Sequence, residues 1–86
     1  MEFTTNKKFN KRFKKLDYKI REEFKRRREI FRTDPKHPLL NVHKLHGEFT
    51  GMLSMNIKGD YRAVFDVIGR NTVIFVDIGT HTELYE

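Results

Sequence analysis

Three histidines, an arginine and a tyrosine are the residues of this sequence best suited to chemistry. His43 and His46 lie in "HKLHG" and Arg62 lies in "DYR". The chain ends in "GTHTELYE", which places His81 and Tyr85 four residues apart. An imidazole can give or take a proton near neutral pH, and a guanidinium can hold two phosphate oxygens. A phenol ring can stack on an unpaired base.

This combination of side chains favours the metal-free cleavage of RNA. In that reaction a base removes the proton from a 2′-OH, and the freed oxygen attacks the adjacent phosphate. A cation stabilises the charge on the phosphoryl oxygens, and an acid protonates the 5′ oxygen that departs. Each residue also has an ordinary structural explanation: an ion pair for Arg62, solvent exposure for His81, and packing over a strand edge for Tyr85.

Other kinds of site have less support. His43 and His46 have a spacing that helical metal ligands can have, but their segment is not predicted to be helical. With no cysteine in the chain, Asp60 or Asp66 would have to complete the metal shell. Ser54 is the only serine, and no nucleophile-elbow motif surrounds it. Phosphate-binding and dinucleotide-binding glycine motifs are also missing, so we expect neither a metal nor a cofactor.

Positive charge is concentrated in one part of the chain. The 86 residues carry a net charge of +6, yet residues 7–32 alone hold 13 of the 18 lysines and arginines and only four acids. This asymmetry favours a polyanion or an acidic protein as partner, although it is also typical of a solvated helix face. The length predicts a single domain, 1–86. Without cysteines or a bilayer-spanning apolar run, we expect a cytoplasmic protein that does not contact membranes.

Two basic helices are predicted in the first half. Their apolar stripe recurs at spacings of mostly three and four residues: Phe9, Phe13, Leu16, Ile20, Phe24 and Phe31. A break is predicted at Leu16-Asp17, with Asp17 capping the second helix. The prolines of "TDPKHP" end that helix, and "EFTT" before the first helix is predicted to be a short strand.

Three strands are predicted after an irregular segment, at 52–57, 61–67 and 72–78, with the last one central because it is the most apolar. Short turns imply an antiparallel meander. Helices followed by strands indicate an α+β fold, β-α-α-β-β-β, with two basic helices packed on an antiparallel sheet of three or four strands. One sheet face would then present polar groups from distant segments: Ser54, Asn56, Arg62, His43, His81 and Tyr85.

The motifs "HKLHGEFTG", "IKGDYRAVFDV" and "VIFVDIGTHTELY" resemble the RelE/StbE superfamily of toxins from bacterial type II toxin–antitoxin systems. The resemblance covers nearly the whole chain and is strongest to the YafQ-like branch, with RelE- and YoeB-like features. It implies the RelE/ParE-like fold and an endoribonuclease that cleaves messenger RNA in the ribosomal A site without metal. It also implies three partners: a cognate antitoxin protein, messenger RNA and the ribosome.

The resemblance also assigns roles to residues. His81 matches a YafQ-like histidine where RelE has arginine, and it is the expected general acid. Tyr85 falls on the C-terminal aromatic residue, which implies base stacking or substrate orientation. Arg62 matches the phosphate-contacting arginine of RelE and YoeB, which YafQ lacks.

The general base is left open by the resemblance. His43 comes first because it matches a YafQ-like histidine, followed by Asp60 in the turn before the strand and then by His46. Further contacts to RNA are expected from four residues: Lys44, His46, Lys58 and Tyr61.

Two positions depart from the family pattern. Asn56 stands where YafQ-like proteins have a second catalytic histidine, and neither Ser54 nor Asn56 supplies the charge of the RelE strand lysines. An alternative function is a ParE-like toxin without enzymatic activity that binds and inhibits DNA gyrase. Such chains generally lack the histidine, arginine and tyrosine set, so the tail motif favours the nuclease. A basic nucleic-acid-binding module without toxicity is a third possibility.

Overall fold

The structure, a computed structural model, describes residues 1–85. Its helices and strands follow one another in this order: β1 (Glu2–Thr5), α1 (Lys7–Lys14), α2 (Tyr18–Thr33), β2 (His43–Lys44), β3 (Leu53–Lys58), β4 (Tyr61–Ile68), β5 (Thr72–Thr80) and α3 (His81–Tyr85). Two 3-10 turns, Pro38–Leu40 and Gly47–Phe49, flank β2. The segment predicted to be irregular therefore contains one short strand between two turns.

Both predicted basic helices are confirmed, and their caps explain their limits. The Asn6 side chain accepts a hydrogen bond from the Phe9 amide at 2.9 Å and begins α1. The predicted cap of α2 is also present, since Asp17 accepts from the Lys19 amide at 2.8 Å. α2 ends at Thr33, shortly before the prolines that cannot continue it.

The sheet contains five strands in the order β1-β5-β4-β3-β2. The predicted meander is confirmed, because β3, β4 and β5 pair antiparallel. β1 pairs parallel with β5, so the sheet is mixed, and β2 adds a fifth strand beside β3. The sequence could not predict β2, since two residues are too few to show alternation. β5 is paired on both sides, but β4 is the middle strand.

The helices cover one face of the sheet with an aromatic core. Seven of the eight phenylalanines form a continuous cluster there, with ring centroids 5.0 to 6.0 Å apart: Phe3, Phe9, Phe13, Phe24, Phe31, Phe65 and Phe75. Met55, Ile57 and Ala63 complete this core from the strands, as the alternation predicted. Rings at such distances add attraction beyond the burial of their apolar area.

A second, smaller apolar cluster lies on the other face. Val64 points away from the helices because its neighbours in β4 point toward them, and it packs with Leu45 and Leu84. Thus α3 and the segment after β2 both rest on the sheet face opposite α1 and α2. None of the helices in residues 1–85 is long and apolar enough to cross a membrane.

Candidate functional site

The face opposite α1 and α2 holds a cleft of about 290 Å³. Seven residues line it: His43, Lys44, Leu45, His46, Arg62, His81 and Tyr85. They come from three separate segments, namely β2 with the residues after it, the start of β4, and α3. Both ionisable and aromatic groups therefore surround one space large enough for part of a nucleotide.

A capping box folds the tail into α3. The Thr80 amide donates to Glu83 Oε1 at 2.8 Å, and the Glu83 amide donates back to Thr80 Oγ1 at 3.3 Å. Hydrogen bonds to the Glu83 carboxylate from the Thr80 backbone and the Thr80 side chain, together with the nearby Arg12 cation, lower the pKa of Glu83. The single helical turn places the His81 and Tyr85 ring centroids 4.7 Å apart. A spacing of four residues matches one helical turn.

Arg62 and His81 share a partner in the turn before β4. The Asp60 carbonyl accepts from the His81 amide at 3.1 Å and from Arg62 Nη1 at 3.3 Å. The Asp60 carboxylate also lies 3.3 Å from Arg62 Nη1. One turn therefore fixes the start of α3 and orients the guanidinium, whose side chain is only 22% exposed.

His43 is held in one tautomer. Its Nδ1 lies 2.9 Å from the Asn41 carbonyl oxygen, which can only accept, so Nδ1 carries the proton. The lone pair of the neutral ring is then on Nε2, which lies 3.3 Å from Ser54 Oγ. Ser54 is fully buried and pairs with His43 across the β2–β3 ladder. Nε2 of His43 is therefore the nitrogen without a proton, and the Ser54 hydroxyl can donate to it.

Tyr85 forms part of the cleft wall through its ring. Phe49 meets that ring edge to face with centroids 6.1 Å apart, and His81 meets it at an interplanar angle of 67°. The phenol oxygen is buried and finds no hydrogen-bond partner within residues 1–85. The ring is thus positioned by packing, which suits stacking better than hydrogen bonding.

Comparison with known proteins gave matches only among solved structures. No family model and no curated protein matches the sequence. The structure of YafQ from E. coli strain BL21(DE3) aligns with a TM-score of 0.82 at 15% identity, covering 99% of this chain and 98% of that one. A YoeB/ParE toxin from Agrobacterium tumefaciens aligns with a TM-score of 0.78 at 18% identity, covering 94% and 99%. The archaeal RelE–RelB complex from Pyrococcus horikoshii OT3 aligns with a TM-score of 0.73 at 21% identity, covering 92% of both chains.

This chain has the RelE-like fold. The fold predicted from the sequence resemblance is thereby confirmed.

Not every predicted site residue of this RelE-like chain lines the cleft. Asp60 does not line the cleft but contacts Arg62, which does. Ser54 likewise contacts a lining residue, His43, and is itself buried. Lys58 is exposed at the end of β3, outside the cleft. Tyr61 also lies outside the cleft, because it packs against the aromatic core and lines a different cavity. Successive side chains alternate along a strand, so Tyr61 and Arg62 point to opposite faces.

Two further residues of the RelE-like fold belong to the cleft region: Asn56 neighbours Arg62, and Leu45 lines the cleft. Asn56 pairs with Arg62 across the β3–β4 ladder, and its side-chain oxygen is buried without a partner in the described chain. Leu45 lies between two polar residues that line the cleft and is buried in the smaller apolar cluster. Leu45 was not among the predicted site residues, although its position as an apolar residue between Lys44 and His46 was a usable signal. Residues 1–85 offer no group of three side chains suited to holding a metal ion.

The two basic helices of the RelE-like fold differ in how their charge is compensated. Five of the seven cations in α2 form ion pairs with glutamates of the same helix: Lys25, Arg26, Arg27, Arg28 and Arg32. In α1, Lys7, Lys11 and Lys14 are exposed and form no ion pair with any described residue. These three lysines follow one helix face, at positions i, i+4 and i+7. The uncompensated positive surface is therefore on α1.

Proposed function

We propose that this chain is the toxin of a type II toxin–antitoxin system and that it cleaves messenger RNA on the ribosome. The observation that supports this function best is the cleft, which combines three imidazoles, a guanidinium and a phenol on a RelE-like fold. A non-enzymatic gyrase inhibitor would not need such a set. The proposal therefore selects the nuclease over the ParE-like alternative.

The proposed reaction uses the groups in the cleft as follows. His43 Nε2 takes the proton of the 2′-OH, and the 2′ oxygen forms a bond to phosphorus. Arg62 stabilises the negative charge that grows on the non-bridging oxygens. The bond from phosphorus to the 5′ oxygen breaks, and protonated His81 gives that oxygen its proton. The products are a 2′,3′-cyclic phosphate and a 5′-hydroxyl end, while Tyr85 stacks on a neighbouring base.

The contacts support His43 as the base over Asp60. The Asp60 carboxylate is already paired with Arg62, which makes it an orienting group for the guanidinium. His46 caps the second 3-10 turn, and its side chain forms no hydrogen bond with residues 1–85 that would fix its tautomer. Only His43 combines a position in the cleft with a lone pair fixed on a known atom.

The partners in this proposal are a cognate antitoxin, messenger RNA and the ribosome, met in the cytoplasm. Two similar structures are complexes, RelE–RelB and a DinJ–YafQ complex described as a toxin-antitoxin complex. An antitoxin for this chain should be acidic where it meets α1, because the lysines there are uncompensated. It would also stabilise the toxin by binding its folded state.

Induced expression without an antitoxin should stop growth and cut translated messengers. Primer extension should locate the cuts, and the downstream fragments should carry 5′-hydroxyl ends that a kinase can label directly. In a slow ribosome-free assay, EDTA should leave the cleavage step unchanged. Growth arrest with intact messengers and accumulated gyrase–DNA adducts would instead support the ParE-like function.

Neutralising the free lysines of α1 should weaken ribosome binding more than neutralising paired cations of α2. The variant is Lys7→Gln with Lys11→Gln and Lys14→Gln, and its control, equal in charge change, is Lys25→Gln with Arg26→Gln and Arg28→Gln. Each lost phosphate contact reduces the magnitude of the slope of log K against log salt by about 0.7–0.9. The magnitude of the slope should therefore fall by about 2–3 in the α1 variant. Sedimentation binding at several salt concentrations measures both slopes. Equal losses in the two variants would contradict the assignment to α1.

A further inference from the structure

Asp77 is a buried charge in the most apolar strand, and the proposed reaction does not use it. Its side chain is 2% exposed. Two cations of α1 reach it, Lys8 Nζ at 3.2 Å from Oδ2 and Arg12 Nη1 at 3.2 Å from Oδ1. The amide of Ile78 donates to the same Oδ1 at 2.9 Å. A buried carboxylate persists only with such compensation, so Asp77 is an anchor for α1.

The strand geometry explains why a helix can reach this carboxylate. β1 ends where Thr5 pairs with Phe75, so within residues 1–85 the remainder of β5 has no strand on that side. The pairing of β5 with β4 also shifts there, because Val64 pairs with Asp77 whereas Phe65 pairs with Phe75. The extra residue, Val76, forms a bulge, which typically redirects a side chain at a sheet edge. α1 occupies the edge left open by β1.

The Arg12 guanidinium that pairs with Asp77 also lies close to α3. A Cβ placed on Gly79 would lie 3.5 Å from Arg12 Nη1 and 3.1 Å from Glu83 Oε1. The guanidinium and the carboxylate thus lie near each other over Gly79, where no side chain separates them, although they form no direct ion pair. Nη1 is buried and makes no hydrogen bond in the described chain, and its ion pair is with Asp77. Arg12 contributes to the lowered pKa of Glu83, after the Thr80 hydrogen bonds.

α3 needs support from outside its own sequence. It has five residues, whereas isolated helices shorter than about 12–15 residues are marginal in water. The capping box and buried Leu84 hold one side of it. We propose that Arg12, fixed by Asp77, is a positioning residue that holds Glu83 and thereby sets the His81–Tyr85 geometry at the cleft. The effect of Arg12 on the His81–Tyr85 geometry does not depend on what the protein does, whereas its effect on cleavage rests on the proposed function.

The test compares Arg12→Gln with Lys8→Gln, since both remove one cation from Asp77 but only Arg12 also approaches Glu83. In Arg12→Gln, amide exchange in α3 should become about tenfold faster. The ring current of Tyr85 changes the chemical shifts of the His81 ring protons in the wild type, and in this variant those shifts should move toward the values of a free histidine. Lys8→Gln should leave both signals unchanged. Arg12→Lys should restore part of the protection, because a lysine keeps the charge.

Glu83→Gln provides a second variant that leaves Arg12 and Asp77 in place. Its amide oxygen can still accept from Thr80, so the cap is retained while the attraction to Arg12 is lost. It should reproduce the His81 shift change of Arg12→Gln and lower kcat about tenfold with little change in KM. Unchanged His81 shifts in both variants, or equal changes in Lys8→Gln, would overturn the positioning role. If the shifts move but the wild type cuts no RNA, the proposed function fails and the positioning role stands.

Discussion

Replacing His81 with alanine should slow the cleavage step about 10²–10⁴-fold, the range that a positioned general acid contributes. The 5′ oxygen would then have to leave as an alkoxide, without the proton that the imidazole supplies. Single-turnover cleavage on programmed ribosomes, with the wild type and His81→Ala compared side by side, measures this effect.

A sulfur substitution distinguishes acid catalysis from general damage to the cleft. If the 5′ oxygen at the cleavage site is replaced by sulfur, the leaving group is a thiolate, which departs without protonation. On this substrate His81→Ala should cleave nearly as fast as the wild type, whereas His43→Ala should stay slow because the base is still needed. Tyr85→Phe serves as a control, since its ring can still stack. A large His81→Ala defect on the sulfur substrate would mean that His81 is not the acid.

Replacing Arg62 with alanine should raise the barrier of the cleavage step by about 2–4 kcal/mol, the scale of one lost charge-stabilising group. This corresponds to a rate lower by about 30- to 1,000-fold. Because the charge develops mainly in the transition state, kcat should fall while KM changes little. Arg62→Lys should recover only part of the rate, because an ammonium lacks the two-pronged geometry of the guanidinium.

Asp60→Asn separates the two contacts that orient Arg62. The Asp60 carbonyl would still accept from Arg62 and from the His81 amide, so only the carboxylate contact is lost. We expect a defect much smaller than that of Arg62→Ala, and a defect of equal size would make Asp60 the base. A near-neutral Arg62→Ala would show that Arg62 serves the structure of the turn alone.

The sequence predicted the elements whose signals are local. The helix stripe, the Asp17 cap and the alternation of β3 and β4 each depend on residues within a few positions of one another. The tail was also predictable, because His81 and Tyr85 meet within one helical turn. The alternation and the short turns also gave the order of the strands, which in turn predicted that His43, Arg62 and His81 gather on one face.

The remaining features depend on contacts between distant residues. β1 pairs with β5, which lies at the other end of the sequence, so this pairing depends on the path of the chain through the two helices. β2 has only two residues and is a strand because it pairs with the edge of β3. The tautomer of His43 depends on a carbonyl two residues earlier and on Ser54, eleven residues later. Asp77 is recognisable in the sequence as a single carboxylate within the apolar run "VIFVDI", which indicates a compensated charge. Nothing in the sequence indicated which cations compensate it.

The placement of the cleft on the face without helices has a consequence for how such a protein can change. Along β3 and β4, residues of one parity fill the aromatic core and residues of the other parity face the cleft side. Substitutions at Asn56 or Arg62 can therefore change the cleft side of the sheet while the phenylalanine cluster keeps the domain folded. Mutations that change thermal tolerance and mutations that change the proposed activity should therefore fall at alternating positions along the same strands.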